Sequence, residues 1–310
     1  MSCLICGSIA FDTITTFDGL FSDYILPEQI HNLNISFTVP TMRREFGGCA
    51  GNIAYSLRLL GDQAVVMGTV GNDGTSYLER FTALGINHKH VRKIPEMLTA
   101  QAIITTDKNN NQISAFHPGA LSLSHLNKVK DAENIHLCII APDNKQAMLE
   151  HARECATLDI PFVFDPGQML ITFSKEELLE QLQLASYLAL NDYEAKLLES
   201  KTSLSINQLA SHVKALIVTQ GAQGSTIMTA GHTHHIPAVK AKVTADPTGC
   251  GDAFRAGLLF GITRQLDWPT IGRLANLIGS FKVEYHGPQN HPFSIDSITE
   301  RFAKIFGYRF

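Results

Sequence analysis

The run Asp246-Pro-Thr-Gly-Cys-Gly-Asp252 holds the groups best suited to chemistry in this chain, and it leads into the apolar helical stretch Ala-Phe-Arg-Ala-Gly257. Gly249 and Gly251 let backbone approach a ligand closely. With Cys250 they place peptide N–H groups at the start of a helix, where free donors and the positive dipole end favour an anion. A carboxylate such as Asp252 beside a bound phosphate is repelled unless it has a task. Accepting a proton from an attacking hydroxyl is such a task, and capping the helix is the alternative. A second glycine run, Phe46-Gly-Gly-Cys-Ala-Gly-Asn-Ile-Ala54, also precedes a helix. Adjacent Gly47 and Gly48 permit positive φ, and the Asn52 carboxamide suits a sugar hydroxyl. A plain turn with a helix cap is the other reading of this run.

These residues need elements to hold them. Residues 2–10 are almost continuously apolar and predict a strand buried on both faces. Residues 11–45 show no helical period; with the alternation at 33–37 they predict loops and short strands projecting from the main sheet. A helix is expected at 51–60, a strand at 64–70, and a helix opened by Asn72-Asp73-Gly74 and closed by Gly85. Strands at 100–106 and 112–116 flank a polar turn and predict a hairpin. Strands at 136–141, 161–165, 187–190 and 215–219 then alternate with helices at 143–157, 174–183, 192–199 and 205–213. Such alternation means right-handed crossovers and a mostly parallel sheet covered on both faces. A hairpin at 225–228 and 233–237, a strand-like 239–244, and helices at 250–265, 269–284 and 294–305 complete the chain.

Composition removes several function classes. The chain has 310 residues, 17% of them charged, and a net charge of −4, so no basic excess marks a nucleic-acid partner. No apolar run reaches the length of a membrane span. The first residues lack a basic segment and a cleavage site, so a cytoplasmic protein is expected. Six cysteines are too few for a disulfide framework, and Cys3 and Cys6 fall inside the first strand as core residues. His232, His234 and His235 alternate along a short hairpin and read as a solvated edge. There is no G-x-x-x-x-G-K-[ST], no H-E-x-x-H, and no G-x-G-x-x-G after the first strand, where Gly7-Ser-Ile-Ala-Phe-Asp12 stands.

Taken together and in this order, about 200 residues apart, the two glycine runs resemble the paired signatures of the ribokinase-like (PfkB) kinases of sugars and nucleosides. Asp246 to Asp252 is similar to the family's D-T-x-G-A-G-D, with Pro247 and Cys250 as departures, and Gly48 to Asn52 is similar to its G-x-x-x-N element. The resemblance covers nearly the whole chain. It implies a three-layer α/β/α sandwich with a mostly parallel central sheet and a small β lid. One domain would span 1–310, its lid formed by about 11–45 and 95–118. It implies Asp252 as base, with the amides of Gly249, Cys250 and Gly251 as anion hole. Asn191 and Glu194, an N-x-x-E element, would organise Mg²⁺ through water. Thr219, Gly221 and Gly224 would lie along ATP, with Asn276 on the adenine side. Ser8, Asp12, Gly47, Gly48 and Asn52 would bind the acceptor, and Asp246 and Gly287 would flank a monovalent cation such as K⁺. The segments 112–120 and 286–291 resemble bacterial adenosine kinase-like members, in which Phe116 would stack on a purine or belong to the lid core. The implied reaction is transfer to a nucleoside 5′-hydroxyl, adenosine to AMP first, with a sugar or sugar phosphate as the alternative acceptor. The implied assembly is a monomer or a lid-to-lid dimer.

Overall fold

The opening apolar run is two strands rather than one. In the computed structural model, which describes residues 2–25, 34–109 and 111–310, β1 covers only Ser2–Cys6 and β2 covers Ala10–Thr16 in a different sheet. Between them the backbone turns through Gly7, Ser8 and Ile9. A Cβ on Gly7 would lie 3.1 Å from the Ala141 side chain, so the bend is tightly packed. The apolar composition reflects burial, not strand continuity: Ile9 is fully buried between the sheets.

β3 (Thr41–Gly47) follows, then α1 (Cys49–Leu59), β4 (Gln63–Val70), α2 (Thr75–Leu84) and β5 (Asn87–Lys93). β5 escapes the sequence patterns because Asn-His-Lys-His-Val-Arg-Lys is polar, as suits the exposed edge it forms. β6 (Ala100–Thr106) and β7 (Gln112–His117) make the expected hairpin. Alternation then gives β8 (Ile135–Ile140), α3 (Lys145–Thr157), β9 (Phe162–Phe164), α4 (Lys175–Leu184), β10 (Tyr187–Asn191), α5 (Asp192–Thr202), α6 (Ile206–Ser211) and β11 (Ala215–Thr219). β12 (Ser225–Thr229) and β13 (His232–Ile236) form the second hairpin, and α7 (Cys250–Thr263), α8 (Trp268–Val283) and α9 (Ile295–Phe306) end the chain.

Nine strands form the main sheet in the order β13-β12-β11-β10-β9-β8-β1-β4-β5, parallel except where β12 meets its neighbours. Alternate residues of β1 feed two cores. Cys3 and Ile5 join a cluster with α1, α2, α7, α8 and α9, and Leu4 and Cys6 join one with α3 to α6. The fold is therefore a three-layer α/β/α sandwich. A four-stranded sheet, β3-β2-β6-β7, stands beside it as the lid, with the whole of β7 exposed.

Two expected strands are absent. Leu33 lies outside the described residues, and 34–37 form no strand; Phe37 packs instead on Phe17 and Phe21, ring centroids 4.8 and 5.2 Å away. Residues 239–244 are also irregular, because their neighbour is the end of α8 and not a strand. Lys242 N–H donates to Glu284, and the N–H groups of Ala245 and Asp246 both donate to the Val283 carbonyl. Cys3 and Cys6 are buried in β1, as their composition requires. His232 and His235 lie exposed on β13, an edge strand of the main sheet. Among the described residues no helix is long and apolar enough to cross a membrane.

Candidate active site

The site forms where α1 and α7 meet at the carboxyl ends of the parallel strands. Gly249 caps α7 with φ 79°, so the peptide groups turn toward the cleft. Among the described residues the N–H groups of Gly249 and Gly251 have no protein acceptor, whereas Cys250 N–H donates to the Pro247 carbonyl at 3.1 Å. Two of the three expected anion-hole amides are thus free, and the third is engaged. Nothing lies within 4 Å of a Cβ built on Gly251, which leaves space above the first helical turn. Pro247 is compatible with the loop because the turn is closed by its neighbours. Asp246 Oδ1 accepts from Thr248 N–H at 2.9 Å, a bond that asks nothing of residue 247.

Asp252 sits in that first turn, facing α1. Its Oδ2 accepts a 2.8 Å hydrogen bond from Asn52 Nδ2. Burial, then the nearby Asp165 carboxylate, push its pKa up to about 7, while the Asn52 bond and Arg255 oppose the rise. Asp252 does not cap α7, since no side chain bonds the helix start. Asn52 also accepts from Gln289 Nε2 at 3.0 Å. Gln289 Nε2 reaches the Tyr77 hydroxyl at 2.7 Å, and that hydroxyl donates to the Gly47 carbonyl at 2.6 Å. The Asn52 carboxamide thus orients Asp252 with one N–H and one lone pair, and keeps a second N–H and a second lone pair at the cavity it lines.

Ser8, Asp12, Gly48, Asn52 and Phe116 line one cavity of about 230 Å³ between the main sheet and the lid. Asp12 projects from β2 opposite Glu45 of β3. Burial, Glu45 and Asp246 raise its pKa to about 6, so it is ionised at neutral pH. A Cβ on Gly47 would lie 2.5 Å from Asp12 Oδ2, so this glycine makes room for the carboxylate, and its carbonyl accepts from the Tyr77 hydroxyl. Gly48, at φ 84°, starts α1 directly over the Ser8 and Ala10 backbone. Ser8 Oγ accepts from Cys49 N–H at 2.9 Å and so anchors the start of α1. Phe116 is 57% exposed on β7, so it is not lid core. Another depression, lined by Lys89, Arg92 and Lys128 beside β5, contains none of these groups.

On the other side of α7, the parallel β10–β11 register sets Asn191 beside Thr219. Gly221 and Gly224, both at positive φ, shape the turn that follows. Asn191 and Glu194 form a reciprocal capping box whose bonds engage both Glu194 carboxylate oxygens. Burial and Asp165 raise the Glu194 pKa. Such a charge fits a hydrated Mg²⁺ carried by phosphates, and among the described residues no cluster of three metal-binding side chains exists to chelate one directly. Asn276 donates to the carbonyls of Ile236 and Pro237, both at 3.2 Å, and so holds the segment leaving β13.

A family model described as pfkB family carbohydrate kinase matches residues 12–295. The chain belongs to the PfkB family. Among solved structures, Burkholderia thailandensis nucleoside kinase in complex with inosine is 52% identical, with TM-score 0.91 and 99% of each chain covered. The same enzyme in complex with ADP-inosine is 53% identical, with TM-score 0.88, covering 99% of this chain and 97% of that one. A nucleoside kinase of Methanocaldococcus jannaschii is 33% identical over 293 residues, 94% of this chain and 95% of that protein. As a PfkB member the chain is a phosphotransferase with an alcohol acceptor.

Two parts of this PfkB site carry no motif of their own. Arg255, one turn beyond Asp252, makes a paired hydrogen bond to Asp165 at 3.1 and 2.9 Å, both side chains buried. Its proximity to Asp252 on a helix was the available signal. Asp143, Gln168 and Met169 line the same cavity as Asp12 and Phe116. They come from the segments that follow β8 and β9, Gln168 and Met169 from a short 3-10 helix, and nothing in their local sequence marks them.

Proposed function

We propose that this PfkB kinase transfers the γ-phosphoryl group of ATP to the 5′-hydroxyl of a purine nucleoside, with adenosine, giving AMP, as the first acceptor. The observation that carries the reading is the makeup of the cavity beside Asp12 and Asn52. Its polar end holds Asp12 and the Asn52 that orients Asp252, and the rest of its lining includes Phe116, Leu121, Met169 and Gln168 beside Asp143. A free sugar has no use for that second half. A purine can stack on Phe116 and meet the Gln168 carboxamide, which both donates and accepts. The inosine bound to the Burkholderia thailandensis enzyme supports a nucleoside in this cleft.

In this reading Asp12 accepts hydrogen bonds from ribose hydroxyls. Asp252 accepts the 5′ proton as oxygen attacks the γ-phosphorus in line, and the free amides of Gly249 and Gly251 meet the charge on the transferring group. Mg²⁺ would be held by the phosphates, with Asn191 and Glu194 reached through water, and would supply charge neutralisation. Thr219, Gly221 and Gly224 border the nucleotide. The lid strands exclude water, which would otherwise take the phosphoryl group. A coupled ATP assay over adenosine, inosine, other nucleosides, ribose and fructose 6-phosphate tests the choice. Purine nucleosides should give the highest kcat/KM, and turnover of sugars alone would reject the proposal.

A pH profile offers a separate check. Asp252 and Asp12 carry pKa values raised to about 7 and about 6, and both act as carboxylates. Activity therefore falls as pH drops. At low concentrations of both substrates, kcat/KM should be flat on the alkaline side. It should decline about tenfold per pH unit below the first pKa and more steeply below the second. An acid side that stays level through both values would remove Asp252 as the base.

A further inference from the structure

We propose that the ε-ammonium of Lys282 serves as a built-in monovalent cation behind the anion hole, so that this kinase works without K⁺. Asp246 and Gly287, the residues expected to flank a free cation, are bonded to each other, and every Asp246 oxygen already accepts a hydrogen bond. Asp246 Oδ2 accepts from Gly287 N–H at 2.9 Å, and its Oδ1 accepts from Thr248 N–H at 2.9 Å. The Asp246 carbonyl accepts from Lys282 Nζ at 2.8 Å, and the same ammonium lies 3.3 Å from the Tyr285 carbonyl.

A lysine with 0% exposure is a costly feature, since such side chains are almost never fully buried without a partner. These partners are main-chain carbonyls, the hard oxygen donors an alkali cation would use. The ammonium brings the same single charge on a tether that ends the last turn of α8. It joins the loop carrying Asp246 to the loop carrying Tyr285 and Gly287. Three residues after Asp246 the chain reaches Gly249, so the tie fixes the entry to α7 and the direction of its free amides. A free cation would have to share the Asp246 carbonyl with a fixed positive charge, which like-charge repulsion opposes.

The test compares K⁺ with tetramethylammonium at equal ionic strength, using ATP as an organic-base salt. Wild-type protein should show equal rates and equal melting temperatures in the two salts. Lys282→Ala, which vacates the two carbonyls, should lose activity by about tenfold or more in tetramethylammonium, the scale of a lost hydrogen bond to a charged group. K⁺ should restore that rate and raise the melting temperature of the variant alone. A wild-type rate or melting temperature that rises with K⁺ would overturn the proposal, as would a folded Lys282→Ala that ignores K⁺. If Lys282→Ala does not fold, the wild-type comparison still decides. Melting needs no substrate, so its outcome is separate from the nucleoside reading.

Discussion

Asp252→Asn is expected to fold and to bind both substrates while losing phosphoryl transfer by about 10²–10⁴-fold, the range for removing a general base. The substitution keeps the shape of the side chain. Its carbonyl oxygen can still accept the 2.8 Å bond from Asn52 Nδ2, so the network through Gln289, Tyr77 and Gly47 survives. What is lost is the only feature an amide cannot supply, an oxygen able to take the 5′ proton. Steady-state kcat together with calorimetric binding of nucleotide and nucleoside separates the two effects. Turnover close to wild type would sink the assignment of Asp252.

The same variant should be more stable at alkaline pH. An ordinary aspartate titrates near 3.8, and in the fold Asp252 titrates at about 7 because burial and Asp165 disfavour its charge. The folded state binds the proton more tightly, so ionised Asp252 destabilises the fold. That cost grows as pH rises from the unfolded value to the folded one and is complete above about 7. Melting temperatures of Asp252→Asn should therefore exceed wild type on the alkaline side and converge with it toward pH 4. The base is held ready at the expense of stability, which is how a catalytic carboxylate differs from a structural one.

How far the sequence revealed this depends on whether a feature is local. The glycine runs around Gly48 and Gly249 were legible because close backbone approach needs glycine at those positions whatever the rest of the chain does. The meeting of Asn52 with Asp252 was not, since it joins residues 200 positions apart. The strand alternation from β8 to β11 was legible because strands buried on both faces are apolar throughout. β5 was not, because its polar residues suit an exposed edge, and the break between β1 and β2 was hidden by Ile9, which is buried without being in a strand. Lys282 is a clear case of a misleading local pattern. A lysine in the last turn of a helix ordinarily faces solvent and favours the helix dipole, and only the loops folded over it make it a buried ligand. The net charge of −4 likewise says nothing of phosphate binding, because the free amides and the helix start act over a few ångströms.

Arg255 should prove the most sensitive position outside the catalytic base. Arg255→Met leaves the Asp165 carboxylate buried without its paired donors at 3.1 and 2.9 Å, a loss that costs about 3–5 kcal/mol when one member of a buried pair is removed. The pair also sets the charge around the reaction, and here the two members act in opposite directions. Arg255 lowers the Asp252 pKa and Asp165 raises it. Arg255→Met should therefore move the acid limb of the rate profile to higher pH, and Asp165→Asn should move it lower, although both variants lose stability. Arg255→Met combined with Asp165→Leu removes the pair whole and leaves neither of its members buried alone, so stability should return toward wild type and the limb should return with it. Urea melts and pH–rate profiles on all three variants make the distinction. If the singles unfold more easily yet keep the wild-type limb, the pair only holds β9 against α7. Opposite shifts of the limb would make Arg255 and Asp165 positioning residues that tune the base through its charge.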